Sequence, residues 1–247
     1  DQSSRDPVAV ANIYLSEENR GLLWHQLYWT DNRERIVKRL IEIEQSGYEA
    51  IVLTVDAPVH GARDRERRAG FQPPQGSQFQ PALAASSSTL ESLLAYAPSW
   101  NDVEWLVQTA KLPVLVKGIL HPGDAQLAQN TGCAGIIVSN HGGRVLDTVV
   151  PTAWVLSSIR EAVGDSIHIL VDGGIRRGTD ILKAIALGAD AVMIGKPIAM
   201  ALGAKGPEGV AHVIRLLWDE LKLAMALTGC SNLQNIPSDL IHTAQSH

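Results

Sequence analysis

The feature that most constrains this chain is a repeated phrase: a short β-branched run, a break at Gly, Pro, Asp or Asn, then an amphipathic stretch. "LLWHQLYW" precedes "DNRERIVKRLIEIEQSG", "AIVLTVDAP" precedes a long irregular stretch, and "LPVLVKGIL" leads into "HPGDAQLAQNTG". "AGIIVSNHGG" leads into "PTAWVLSSIREAVG", "IHILVDGGI" into "RRGTDILKAIALG", and "ADAVMIGKP" into the closing helices. Six strand candidates, each followed by a helix or a loop leading to one, imply a parallel sheet with right-handed crossovers. The runs are almost unbroken in apolar residues, so both faces of the sheet are covered. Ile36, Leu40 and Ile43 recur at helical spacing behind Asp31 and Asn32, which predicts a helix starting there.

A barrel and a doubly wound sheet both satisfy these conditions, and the polar residues separate them. Tyr28, Asp56, Lys117, His141, Asp172 and Lys196 all fall at or just past the C-terminal end of a strand. Groups supplied at one end by nearly every strand converge on one site, as in the catalytic face of a (β/α)₈ barrel. A doubly wound sheet concentrates its chemistry at one switch point instead. An α/β fold of the TIM-barrel type is therefore expected, as a single domain over residues 1–247. Residues 61–99, rich in Gln, Pro, Ser and charge, break the phrase and are read as a long mobile loop of functional character. Their "RDRERR" lacks interleaved aromatics, so a solvated loop face is the better reading than a nucleic-acid patch.

Composition narrows the function classes. A formal net charge of -5 gives no reason to expect nucleic acid or an anionic membrane as partner. No apolar run approaches the roughly 20 residues of a membrane span. The opening "DQSSRDPVAV" does not read as a secretory signal, nor the closing "AQSH" as a peroxisomal address. Two distant cysteines, Cys133 and Cys230, form no metal-ligand cluster and suit a reducing compartment, so a cytoplasmic location is expected.

The chemistry begins with phosphate. "VDGGIRRGTD" sets Asp172, Gly173 and Gly174 between a strand and a helix starting near Gly178, and "MIGKP" sets Gly195 and Lys196 in the equivalent place one repeat later. Glycines let backbone N–H groups approach an anion, helix N-termini favour negative charge, and Arg176 and Lys196 add full positive charges. One Gly-Gly turn would be only a turn; the paired arrangement with two cations favours phosphate. His141 at a strand tip, with Arg144 three residues on, offers a proton acceptor beside a bidentate carboxylate clamp. His25, His168 and His212 read as structural. Asp56 is the candidate to orient His141, although an Asp-Ala-Pro turn alone would explain it. Lys117 ends a strand core, and a buried lysine requires an anionic partner. Gln26 and Tyr28 share one strand face.

These motifs make the chain recognisable. "HQLYW", "LTVDAP", "PVLVKGIL", "IIVSNHGGRVLD", "VDGGIRRGTDILKAIALGADAVMIGKP" and "DELKLAMALTGC" resemble the FMN-dependent α-hydroxy acid oxidase and dehydrogenase family, from about Trp24 to Asn235. The resemblance implies FMN as cofactor and oxidation of a small (S)-2-hydroxy acid to the 2-oxo acid. It makes His141 the base, Asp56 its carboxylate partner, Arg144 the grip on the substrate carboxylate, Tyr28 the tyrosine near the substrate hydroxyl, and Arg63 a second substrate-side arginine. Gln26, Thr54, Lys117 and Ser139 match flavin-ring and ribityl contacts, with Lys117 stabilising the reduced ring. Asp172, Gly173, Gly174, Ile175 and Arg176 match the first phosphate loop, Gly195 and Lys196 the second. The family has arginine where Lys196 stands, which keeps the charge and loses the bidentate fork. It also implies a homotetramer, and an electron acceptor that is oxygen, a quinone or a cytochrome.

Family members carry well over a hundred residues before "QLYW", including two barrel strands. This chain is expected to hold six of the eight βα units. A longer parent protein is the favoured reading over completion by a second chain or a shortened, inactive paralogue. Two functional alternatives stay open: another FMN-binding barrel, such as a flavin-dependent isomerase of phosphorylated substrates, and an inactive partial barrel serving as a subunit.

Overall fold

The computed structural model describes residues 6–18, 20–59, 64–71, 89–94 and 97–242. The strands are β1 (Trp24–Tyr28), β2 (Ala50–Thr54), β3 (Val114–Ile119), β4 (Gly135–Val138), β5 (His168–Val171) and β6 (Ala191–Val192). They form one sheet in the order β1-β2-β3-β4-β5-β6, each neighbour pair parallel. Sequential order rules out the doubly wound sheet, whose strand order reverses partway. Right-handed crossovers that always advance in one direction put every helix on the same face, and such a sheet curls into a barrel wall.

The helices are α1 (Pro7–Leu15), α2 (Arg33–Gln45), α3 (Asp64–Arg68), α4 (Leu90–Leu94), α5 (Trp100–Thr109), α6 (Pro122–Asn130), α7 (Thr152–Val163), α8 (Gly178–Ala186) and α9 (Lys196–Thr228). Helix α2 starts as expected: the Asn32 side chain accepts from the Arg35 amide at 3.0 Å, and Ile36, Leu40 and Ile43 are buried. Helix α9 is broken where Lys205 and Gly206 leave helical geometry ahead of Pro207.

The core confirms which face is which. The large cluster joins strand residues Ile51, Leu53, Val116, Val138 and Val171 to helix residues such as Leu40, Leu106, Leu156 and Leu182. The smaller cluster contains only strand residues, Ala50, Val52, Leu115, Ile137 and Leu170, with Trp24 and Met193 against it. One face is thus roofed by helices, and the other is lined by strands alone, as a barrel interior is. Strand side chains alternate between these faces, so Gln26, Tyr28, Thr54, Lys117, Ser139 and Asp172 follow the inner parity at the C-terminal rim. Within the 61–99 stretch, helices α3 and α4 lie among the described residues, while residues 61–63, 72–88 and 95–96, Arg63 with them, lie outside them.

Candidate active site

Two polar pairs meet at the rim. The Asp56 Oδ1 lies 3.0 Å from His141 Nδ1, and both side chains are largely buried. Lys117, 7% exposed, places Nζ 3.2 Å from Asp172 Oδ2 and donates to Ser139 Oγ at 2.7 Å. Ser139 Oγ also accepts from the His141 amide at 3.1 Å, so one hydroxyl joins the two pairs. Gln26 Nε2 donates to Thr54 Oγ1 at 2.8 Å and lies 3.5 Å from the Tyr28 hydroxyl, closing the row along β1 and β2.

Local sequence explains how His141 reaches this position. Strand β4 ends at Val138, and the chain then turns through three consecutive left-handed residues, His141 (φ 54), Gly142 (φ 64) and Gly143 (φ 70). A left-handed histidine is uncommon, and the two glycines after it continue that hand without a Cβ penalty. The Gly143 amide closes the turn on the Asn140 carbonyl at 2.9 Å. A carboxylate can only accept, so the proton of this hydrogen bond is carried by Nδ1, and Nε2 lies on the opposite edge of the ring.

The glycine loops lie at the same end. Gly173 (φ 82) and Gly174 (φ 90) follow β5, and Gly195 precedes α9. Nothing stands within 4 Å of a side chain built on Gly174 or Gly195, so both face open space that an anion can enter. The start of α9 has no side-chain cap, leaving its first amides available. Helix α8 differs from expectation. Its Gly178 amide already donates to Glu220 at 2.8 Å, and the Arg176 and Arg177 amides donate to Asp180 at 3.0 and 2.9 Å. Of the two helix starts, that of α9 is the one whose first amides have no side-chain partner among the described residues, with Lys196 in its first turn and Arg176 just after the first glycine loop. Ile175 buries its side chain and can serve only through its backbone. Lys196 Nζ donates to the Gly142 carbonyl at 2.6 Å, tying the second glycine loop to the His141 turn.

Asp172 is placed by its chain position in the first loop, but its carboxylate is directed at Lys117. Among the described residues its Oδ1 is buried with no partner, as is Asp56 Oδ2. An inward lysine at the strand ends, and glycines facing open space beside the uncapped start of α9, fit a cofactor that develops negative charge and carries an anionic tail. Arg144 lies on the same rim loop, its side chain 47% exposed and 3.4 Å from Glu66 of α3. Arg63 lies outside the described residues. Three supporting groups escaped the sequence reading. Thr152 donates to the Asp172 carbonyl at 2.8 Å, Glu220 caps α8, and Gly118 bulges from β3. Only Gly118 carried a signal, as a lone glycine inside an apolar run. Among the described residues no cluster of three or more His, Cys, Asp or Glu could hold a metal, and no helix is long and apolar enough to cross a membrane.

Comparison with known proteins identifies relatives of the chain. A family model described as FMN-dependent dehydrogenase matches residues 3–243. The chain is 42% identical over 230 residues to an L-lactate oxidase of Alicycliphilus denitrificans, covering 88% of this chain and 63% of that protein. It is 45% identical over 250 residues to a 2-hydroxyacid oxidase of Dictyostelium discoideum, covering 97% and 63%. A mandelate oxidase structure with (S)-2-phenylpropionate superposes with a TM-score of 0.80 at 40% identity, covering 94% of this chain and 65% of that one. The chain thus spans under two thirds of the length of these relatives. A family match running almost from end to end places the chain in the FMN-dependent dehydrogenase family.

Proposed function

We propose that the protein containing this chain oxidises a small (S)-2-hydroxy acid to the 2-oxo acid. The observation that carries the reading is the Asp56–His141 pair sharing Ser139 with the Lys117–Asp172 pair. FMN, when bound, would take up the Cα hydrogen together with the two electrons that leave the substrate. Gly173, Gly174, Arg176, Gly195 and Lys196 hold its phosphate, and Gln26, Thr54, Lys117 and Ser139 line its ring and ribityl chain. Lys117 provides a fixed positive charge where negative charge develops, with Asp172 as its counter-ion.

His141 takes the substrate hydroxyl proton at Nε2, and Asp56 holds the ring in orientation and stabilises the imidazolium that results. Tyr28 donates to the substrate oxygen. Arg144, at the rim, exchanges its contact with Glu66 for the substrate carboxylate, a stronger partner when bound bidentately. Oxygen as electron acceptor is supported by relatives named as oxidases of lactate and of 2-hydroxy acids. A homotetramer belongs to the same reading on family resemblance alone, and a cytoplasmic location on the scarcity of cysteines.

The test is anaerobic mixing of the yellow protein with L-lactate, glycolate and (S)-mandelate while the flavin absorbance is followed. Bleaching by at least one acid is expected. His141→Gln should retain flavin and lose bleaching by roughly 10²-fold or more. Reduction of that variant at the normal rate overturns the assignment of His141.

A further inference from the structure

The pairing of β3 with β4 slips by one residue at its end. Lys117 stands opposite Ile137 and Ile119 opposite Val138, which leaves Gly118 as the extra residue of a bulge. Without the insertion, alternation would turn Ile119 toward the interior beside Lys117. With it, Lys117 keeps the inner face and Ile119, 3% exposed, joins the helix-side core. The bulge also opens a gap in the wall, because Gly118 (φ 112) has no side chain where the chain leaving β2 crosses it. The Val55 amide first bonds the Lys117 carbonyl at 2.9 Å, extending the ladder by one step. Asp56 then lies directly on Gly118. A Cβ at 118 would stand 2.5 Å from Asp56 Cβ, 2.7 Å from its Cγ and 2.8 Å from its backbone nitrogen. No rotamer of Asp56 relieves contacts with its own Cβ and amide, so the backbone itself would have to move.

We infer that Gly118 is a positioning residue. The β3 bulge sets the Asp56 carboxylate at hydrogen-bond distance from His141, and any side chain at 118 pushes it out of reach. The rest of the neighbourhood cannot compensate, because Asp56 Oδ1 is held by His141 and Oδ2 has no partner to anchor the carboxylate from the other side. The inference concerns the geometry of the pair, and its kinetic consequence rests on the hydroxy-acid oxidation proposed above.

The test combines proton NMR of the flavin-free protein with stopped-flow reduction of the flavin-loaded one. An Nδ1 proton shared with a carboxylate exchanges slowly and resonates far downfield. The wild-type spectrum should show this signal and Asp56→Asn should lack it. Gly118→Ala is expected to lose it too, while melting cooperatively and binding flavin. In stopped flow, Gly118→Ala should slow reduction about as much as Asp56→Asn, roughly 10²-fold. Added to Asp56→Asn, it should cost less than about threefold more, since the two changes act through one contact.

A downfield signal absent from wild type or retained in Gly118→Ala, or rate losses that multiply, overturns the inference. If Gly118→Ala does not accumulate folded, Asp56→Gly in the same chain should raise its folded yield by removing two of the three close atoms, although the Asp56 amide at 2.8 Å and the positive φ at 118 remain; no gain in yield overturns the inference as well. Unchanged reduction in Asp56→Asn, with the NMR signals behaving as described, defeats the oxidation reading and leaves the role of Gly118 standing.

Discussion

Lys117 shows how a single residue combines two demands. Its ammonium sits inside the wall, where an unpaired charge would cost several kcal/mol, and Asp172 is the group that makes this burial tolerable. Removing one partner strands the other. Lys117→Met is therefore expected to lose about 3–5 kcal/mol of stability, read from urea midpoints. Lys117→Met/Asp172→Asn should recover most of that loss, and a double variant no more stable than the single one would contradict the pairing. The sequence made Lys117 legible as a buried cation needing an anion. It did not reveal which anion, because Asp172 arrives from two strands away. Asp56 and His141, 85 residues apart, were paired as candidates because both stand at strand tips, and the family resemblance assigned them the same pairing. Arg144 and Glu66 were not joined at all: strand-tip position can be read locally, whereas contacts across the rim depend on how the wall bends.

At the scale of elements, β1 buries a histidine whose Nδ1 has no hydrogen-bond partner among the described residues. His25 is 4% exposed, its Nδ1 meets no acceptor or donor, and its ring stands edge-on to Tyr48 at 5.3 Å. Tyr48 in turn donates to the Pro7 carbonyl at the start of α1. Burial, reinforced by nearby positive charge, lowers the His25 pKa to about 4. The unfolded chain protonates His25 near pH 6.5 and the folded one does not, so the folded state is penalised progressively between pH 6.5 and about 4. The full penalty is about 3 kcal/mol, from the size of that displacement. A urea titration of wild type against His25→Phe should show this difference opening as pH falls and closing above pH 7; parallel curves would exclude it. Helix α2 was legible because a cap and a clear apolar stripe coincide. Helix α1 was not, since only Pro7 and Ala11 are buried and its signal is the short-range cap by Asp6, which accepts from Val8 and Ala9.

At the scale of the molecule, the two ends of the sheet have separate tasks. The C-terminal rim carries the polar pairs and glycine loops. At the opposite end Arg160, leaving the last turns of α7, donates to the Gly188 carbonyl at 2.7 Å and the Gly164 carbonyl at 2.6 Å. It also pairs with Asp190 at 2.9 Å, and Asp190 accepts from the first core amide of β5, at Ile169. In barrels this end serves stability and the other chemistry. Arg160→Met is expected to cost about 2 kcal/mol in urea unfolding while leaving the rate of flavin reduction within about twofold of wild type. A large kinetic defect in a variant that remains folded would refute the division. The overall architecture was the most legible level, since a repeated strand-and-helix phrase survives any local error.

The alternation of inner and outer side chains along each strand has an evolutionary consequence. Lys117 and Val116 are neighbours in the chain, yet one faces the strand-lined interior and the other the oily mantle beneath the helices. Gaining or losing one amino acid within a strand would exchange those fates for every residue after it. Lineages of this protein can therefore drift in length only in the connections, where each added residue costs little. The strand interiors must pass from ancestor to descendant with their count unaltered.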